Sequence, residues 1–382
     1  MSIDKKRKVL MLRSNEVNPD PRVQKEAEAL LNAGYSVEVF CWDRSANHGL
    51  IEADAIVGDH RLHIYRTGIS STFGAGFRKN IMPLLRFQKD IIKFLLRNHK
   101  NYDVVHACDF DTCLTGYFCA RAKGLKTVYD IFDYYADAFS VPQKLKKLIV
   151  RLDSYLINHS DAVIICSEQR LEQIKNTKPK RLAIIHNSPA KARLMVPDMK
   201  DENRDVLSIA YVGILNDGRL IPELLEAVSS DSNYRLDIAG YGKLESFVNE
   251  YSRKYPNIMY HGRVQYEKAL ELENGADVLM AAYDPRIPNH KYAAPNKYYE
   301  ALMLGKPLIM CRNTGFSEEL SAQGIGIYID YSLESLQEGL REVNSRFDYY
   351  KKNGERGREL FDLNYNWEIM SHRLVELYSV IG

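Results

Sequence analysis

The chain has almost no net charge, no Cys-x-x-Cys pair and no long apolar run, and each lack removes a class of protein. Lys plus Arg number 52 against 50 Asp plus Glu, leaving +2 over 382 residues, too little for a dedicated nucleic-acid binder. The six cysteines are Cys41, Cys108, Cys113, Cys119, Cys166 and Cys311, without zinc-type spacing or a matching His-x-x-x-His. A metal site is therefore not expected, and reduced thiols in a cytoplasmic protein are. The first apolar run, Val9 to Leu12, stops at Arg13, short of the ~7–15 residues of a signal-peptide core, and reads as a first β-strand. No uncharged run nears the ~18 residues that span a bilayer, so any membrane contact is expected to be peripheral. At 45% hydrophobic and 27% charged, the composition excludes disorder, collagen-like fibres and small disulfide scaffolds.

What is present is a repeating alternation. At roughly 150 residues per domain the length allows two to three domains. Charge divides unevenly, +8 over residues 1–190 and −6 over the rest, which suggests halves with different partners. Short β-branched runs at 8–14, 36–42, 61–67, 103–109, 126–133, 161–167 and 182–186 alternate with helical periodicity, the signature of parallel βα units. The pattern lapses at 189–205, a polar, proline-bearing stretch that reads as a linker. A second series follows, with strands expected at 207–213, 235–239, 258–264, 277–283, 306–311 and 325–330, and helices alone from about 333 to 382. The expectation is two Rossmann-like, doubly wound α/β domains facing across a cleft. Residues 1–188 would form the first, 206–365 the second, with a C-terminal helix at about 366–382 packing back on the first. In open α/β sheets ligands bind outside the carboxyl ends of the strands.

The most informative stretch runs from Tyr292 to Ile309. Pro295, Asn296 and Lys297 open a helix there, and its backbone N–H groups, positive dipole end and ammonium together suit a diphosphate. Glu300, three residues on, could accept two ribose hydroxyls, as acidic residues do in nucleotide-binding α/β folds; a capped surface helix is the alternative. In the first half Asp109, Asp111, Asp130 and Asp133 form two carboxylate pairs at the ends of adjacent expected strands. They could orient acceptor hydroxyls or take a proton, or cap helices. His106 reads equally as a packed core residue or a site residue. In the loop 14–22, Asn15, Asp20 and Arg22 are candidate acceptor or phosphate contacts, with Asp20 also suited to be an N-cap before Pro21.

The run Pro295-Asn-Lys-Tyr-Tyr-Glu-Ala-Leu-Met-Leu-Gly-Lys-Pro-Leu-Ile resembles the nucleotide-sugar motif of glycosyltransferases of the GT-B fold, family 4 in particular, in a Pro-Asn-Lys subtype. The resemblance covers nearly the whole chain. It includes Asp20-Pro-Arg-Val-Gln-Lys-Glu, Tyr102-Asp-Val-Val-His-Ala-Cys-Asp, Val128-Tyr-Asp-Ile-Phe-Asp, Ser160-Asp-Ala-Val-Ile-Ile-Cys-Ser, Ile209-Ala-Tyr-Val-Gly, Leu236-Asp-Ile-Ala-Gly-Tyr-Gly and Tyr260-His-Gly-Arg-Val. It implies transfer of a sugar from a UDP or GDP sugar, with retention at the anomeric carbon and neither cofactor nor metal. The donor would lie on the C-terminal domain and the acceptor, a glycan or lipid-linked glycan in cell-surface polysaccharide or glycoconjugate synthesis, on the N-terminal one. By the resemblance Glu300 binds the donor ribose. Gly213, Gly240 and Gly242 let the donor approach the backbone, Arg263 and Val264 lie in the base-binding loop, and Arg219 and Lys297 are the cations for the leaving diphosphate. Asp109 and Asp133 are the candidate catalytic carboxylates; Asn15, His106 and Asp130 the acceptor contacts.

Three positions depart from the family pattern. Tyr292 replaces a glutamate eight residues before Glu300, Cys108 replaces the second histidine of a His-x-His, and Phe132 stands in a histidine's place. They keep open an accessory subunit without turnover and, sharing the fold, a sugar-nucleotide epimerase. Helices over 84–97 and 144–156 each carry an apolar stripe opposite basic residues: Arg86, Lys89, Lys93 and Arg97 in one, Lys144, Lys146, Lys147 and Arg151 in the other. They read as ordinary helices packed on a sheet, or as a basic surface for anionic lipid at the inner membrane face.

Overall fold

The computed structural model describes residues 7–71, 77–138, 142–191 and 206–381, with the side chains of 77–79 and 144 left aside. Most of the expected linker, 192–205, and the charge of Lys144 lie outside this description. The chain divides into two compact units, Met1–Asn187 with Glu368–Gly382, and Ser188–Trp367.

In the N-terminal unit the strands are β1 (Lys8–Arg13), β2 (Ser36–Asp43), β3 (His48–Val57), β4 (His60–Gly68), β5 (Val104–Cys108), β6 (Lys126–Ile131), β7 (Ala162–Ile165) and β8 (Leu182–Ile184). They form one sheet in the order β3-β4-β2-β1-β5-β6-β7-β8, parallel except for β3, which pairs antiparallel with β4. Helices α1 (Pro21–Asn32), α2 (Phe77–Asn98), α3 (Phe110–Ala122), α4 (Tyr135–Ala138) and α5 (Gln143–His159) alternate with the strands. The central strands are buried on both faces, so they read as continuous apolar runs. β3 is the strand the periodicity misses. It lies on the sheet edge, and Leu50 and Ile56 point to solvent, Ile56 with 74% of its surface exposed, so no inward-facing alternation marks it.

The C-terminal unit holds β9 (Leu207–Ile214), β10 (Tyr234–Tyr241), β11 (Ile258–Tyr260), β12 (Val278–Ala281), β13 (Leu308–Cys311) and β14 (Gly326–Ile329), all parallel, in the order β11-β10-β9-β12-β13-β14. Its helices are α6 (Ile221–Ser229), α7 (Glu245–Lys254), α8 (Tyr266–Gly275), α9 (Asn296–Leu304), α10 (Ser317–Ala322), α11 (Leu333–Ser345) and α12 (Phe347–Leu360). β11 stops short of the expected 264 because Gly262 turns the chain at φ +68°.

The last helix, α13 (Trp367–Val380), packs on the N-terminal unit. Tyr378 is fully buried there, its hydroxyl 2.8 Å from His106 Nδ1, and Arg373 donates to the Ile184 carbonyl at 3.1 Å. Removing one buried partner leaves the other unsatisfied, at a cost of ~1–3 kcal/mol. Tyr378→Phe should therefore lower the unfolding free energy obtained from chemical denaturation by that amount.

On the inner face of α5, Asp153 is completely buried and accepts the Tyr129 hydroxyl at 2.6 Å. Burial pushes its carboxyl up to about 7. The folded value lies above the unfolded one, ~3.9, so the folded state holds the extra proton and stability falls as pH rises from about 4 through 7. Asp153→Asn keeps an acceptor for Tyr129 without the charge. Its melting temperature relative to wild type should rise across that window, by the equivalent of at most ~4 kcal/mol, and level off above it.

Candidate functional site

In each sheet the strand order reverses beside the first strand of the series, between β1 and β5 in one unit and between β9 and β12 in the other, and the expected residues gather at those carboxyl ends.

In the N-terminal unit Arg13 ends β1, and its guanidinium binds Asp20 Oδ2 at 2.9 Å and Asp109 Oδ2 at 2.5 Å. The other oxygen of Asp109 accepts the backbone N–H groups of Phe132 and Asp133 at 2.9 and 3.2 Å. Asp109 thus ties the ends of β1, β5 and β6 together. It does so from φ +70°, ψ 165°, a region populated almost only by glycine and costing ~1–3 kcal/mol. Burial pushes its carboxyl up to about 6 against the pull of Arg13. Asp133 bonds Arg170 at 2.8 Å while half its side chain stays exposed, so it is the member of the four carboxylates best open to a ligand. Asp111 Oδ1 is buried without a hydrogen bond. Phe132 lies between two guanidinium groups, Arg13 at 4.3 Å and Arg22 at 4.6 Å from the ring centre, a cation–π sandwich that accounts for an aromatic residue here.

Two expected acceptor contacts prove to be interior. Asp130 and His106 have no exposed surface. Asp130 accepts from Arg22 at 2.9 Å and lies 3.4 Å from His106 Nε2, and Arg22 in turn sits 3.1 Å from Glu26. Burial alone would raise the Asp130 carboxyl, but Arg22 and His106 hold it below the usual range, while burial and Asp130 drive Glu26 well above it. Both residues serve a buried charge network that anchors α1 and α13 to the sheet, and neither reaches an acceptor. Among the described residues Glu26, His106 and Asp130 are also the group spaced to share a metal ion; Arg22 takes one oxygen of each carboxylate, and the other oxygens, Asp130 Oδ2 and Glu26 Oε2, lie 3.4 and 3.7 Å from His106 Nε2. Asn15 is likewise spent within its loop, donating to Asp20 at 2.7 Å and accepting the Val17 N–H at 2.8 Å. Asp20 is the N-cap of α1, accepting from the Val23 N–H with Pro21 at the first helical position.

In the C-terminal unit the loop after β9 carries Arg219, whose guanidinium lies 3.7 Å from the centre of the Tyr283 ring with Nη1 buried and unbonded. Pro295 caps α9, and Asn296 is exposed at its first turn. Lys297 is turned toward two carboxylates. Its ammonium is shared by Glu300 Oε2 at 2.6 Å and Glu273 Oε1 at 2.7 Å. Burial opposes its charge, yet the two glutamates outweigh burial and hold it protonated. In this structure the expected diphosphate cation pairs with Glu300 and Glu273. Glycine is required at 240 and 242 for the fold: at φ +147° and +149°, an added Cβ would come within 1.8 Å of the Gly213 carbonyl oxygen and 2.5 Å of that of Leu215. Gly240 admits the backbone of β9 and Gly242 that of the residue just after it, while Gly213 itself has room for a Cβ. Arg263 is exposed, 4.6 Å from the centre of the half-exposed Tyr241 ring, with Val264 half-buried beside it.

Glu273, Arg13 and Arg170 are the site residues that the sequence reading missed. Glu273 had a legible signal: it falls at the helical spacing of Tyr266, Ala269 and Leu270, a carboxylate on an apolar stripe.

The two units have the GT-B fold, seen across the full length of several solved structures. Sucrose-phosphate synthase from Thermosynechococcus elongatus aligns at 17% identity and TM-score 0.73 over 98% of each chain. Anabaena HepE in complex with UDP aligns at 12% identity and TM-score 0.70 over 97% of this chain and 99% of the other. The E. coli trehalose-6-phosphate structure bound with UDP-2-fluoro glucose aligns at 12% identity and TM-score 0.72 over 98% of each. At such identities the likeness is one of fold. Residues 22–188 match the family model described as Glycosyltransferase Family 4. No curated protein matches the sequence.

The Asp109 tie generates a prediction. Asp109→Ala leaves two backbone N–H groups and part of the Arg13 charge unsatisfied, at ~1–3 kcal/mol or more, and its Cβ keeps the backbone strain. Asp109→Gly loses the same bonds but removes that strain, so by thermal or urea unfolding it should be the more stable of the two.

Proposed function

We propose that this chain is a glycosyltransferase that takes a sugar from a UDP or GDP sugar, with retention and without a metal, and passes it to a glycan or lipid-linked acceptor in polysaccharide or glycoconjugate synthesis. The observation that carries the reading is the α9 site: a buried carboxylate, Glu300, fixed in place by Lys297 at the start of a helix whose dipole favours an anion. A ribose with two vicinal hydroxyls suits that carboxylate, and the diphosphate then falls toward the helix N-terminus. Arg219, stacked on Tyr283 with Nη1 unbonded, is the cation suited to the charge that builds on the leaving diphosphate as the glycosidic bond breaks. Arg263 and Tyr241 offer a stacking surface for the base. The family match over 22–188 and the UDP and UDP-sugar complexes among structures of the same fold support the donor class. On the acceptor side, Asp133 is the carboxylate best placed to meet a hydroxyl.

The protein would work at the cytoplasmic face of the membrane. The inner stripe of α2, Phe87, Ile91, Phe94 and Leu95, is core, as an ordinary packed helix requires. Its outer face carries more than charge, with Met82, Leu85, Ile92 and Leu96 exposed beside Arg86, Lys89, Lys93 and Arg97. On α5, Leu145, Leu148 and Tyr155 are exposed beside Lys147 and Arg151. Apolar groups among cations suit anionic lipid, at ~1 kcal/mol per basic residue near the surface. No described helix is long and apolar enough to cross a membrane.

Thermal-shift titration against UDP and GDP tests the donor site. One nucleotide at ~100 times its dissociation constant should add ~2.7 kcal/mol to stability, and Glu300→Ala should abolish the effect. Arg219→Ala should keep nucleotide binding within severalfold but lower kcat by ~10²–10³. Absence of any shift from an intact fold would favour the accessory-subunit reading, and sugar-nucleotide conversion without acceptor would favour the epimerase.

A further inference from the structure

Two glutamates in the C-terminal unit share one lysine. Glu273, near the end of α8, and Glu300, on α9, both lie against the Lys297 ammonium, at 2.7 and 2.6 Å, and they expose only 1% and 3% of their surfaces. With both carboxylates ionised the trio carries one uncompensated negative charge away from water, an arrangement that folded proteins avoid by pairing or protonation. Glu273 is the weakly supported member. Glu300 is bonded by Lys297 and by the Tyr266 hydroxyl, whereas Glu273 meets only the Lys297 ammonium, at its Oε1, and its Oε2 is buried without a partner. The other titratable groups nearby are Tyr266, on α8 itself and beside Glu300, and Tyr211, on the adjoining strand β9, which senses both Lys297 and Arg219. Neither supplies a positive charge.

A nucleoside diphosphate would bring at least two further negative charges to the start of α9. While Glu273 is ionised the excess charge on the trio opposes the ligand, and the simplest relief is a proton on the carboxylate that no ligand needs. We propose that Glu273 is a positioning residue for the donor, coupling nucleotide binding to uptake of one proton from solvent on its carboxylate and thereby leaving Lys297 to hold Glu300 toward the ribose. The inference rests on the nucleotide-sugar reading and adds a regulatory property to the same site. Burial and the Glu300 charge push Glu273 up to about 8, which places the proton change where it can be measured. The sign is fixed. Below about pH 8 Glu273 already holds its proton and binding costs nothing extra; above it each nucleotide bound must bring a proton, so affinity falls as pH rises.

The test is calorimetric titration of the full chain with UDP and with GDP between pH 7 and 9.5, in buffers of different ionisation enthalpy. For the nucleotide that binds, wild type should approach one proton taken up at pH 9 and lose up to tenfold in affinity per pH unit above about 8. Glu273→Gln, a neutral isostere, should bind with an affinity independent of pH and take up no proton. A flat wild-type profile, or an unchanged slope and proton uptake in Glu273→Gln, would overturn the inference. Should that variant not fold, carbon-13 NMR of glutamate-labelled wild type at pH 9 reads the same event. One buried carboxyl carbon should shift to its protonated position on nucleotide addition, and its failure to do so overturns the inference equally. If an intact wild type binds neither nucleotide at any pH, the donor reading itself fails, and this inference falls with it.

Discussion

The ammonium of Lys297, held between two buried carboxylates, is the interaction on which the account of the C-terminal unit depends. A single positive charge joins α8 to α9 and fixes the rotamer of Glu300 before any ligand arrives. A preformed carboxylate costs less to use in binding than one that must be ordered by the ligand. The arrangement also explains why the start of α9 is built as it is: Pro295 sets the helix entry, Asn296 stays at the surface, and Tyr298 and Tyr299 pack beneath into the aromatic cluster of Phe316 and Tyr365. The chemistry stands on a rigid helix, which keeps its geometry better than a loop would.

The N-terminal unit solves a related problem with more parts. Its sheet and first helix gather several carboxylates at the ends of parallel strands, and most are matched by an arginine: Asp20 and Asp109 by Arg13, Asp130 and Glu26 by Arg22, Asp133 by Arg170. Most of these pairs are buried, so the carboxylates serve mainly to hold strand ends and helices in register. Asp109 carries the strain of that role in its backbone. Among the groups the unit leaves at its surface are Asp133 at the strand ends and the apolar and basic outer faces of α2 and α5.

Much of the fold was legible in the sequence because parallel strands buried on both faces leave plain apolar runs, and Asp20-Pro21 announces a helix start by local chemistry alone. The edge strand β3 was not, since its apolar side chains face outward. The site was legible as chemistry but less so as roles. Glu300 and Lys297 follow from helix position, whereas Lys297's partner Glu273 comes from a helix more than twenty residues earlier and no local pattern joins the two. His106 and Asp130 have the right types at the right strand ends. Their burial depends on α1 and α13, elements distant in the chain. Gly240 and Gly242 show the same limit: sequence marks the need for glycine, and only the packed neighbour shows whether a ligand or the backbone claims the space.

The most direct test of the central claim is a crystal structure of the chain with the nucleoside diphosphate it binds. The account predicts both ribose hydroxyls on the Glu300 carboxylate, Lys297 still bonded to Glu300, and the diphosphate between the start of α9 and Arg219. A nucleotide bound elsewhere, or one whose phosphates draw Lys297 away while Glu300 touches no sugar, would contradict it.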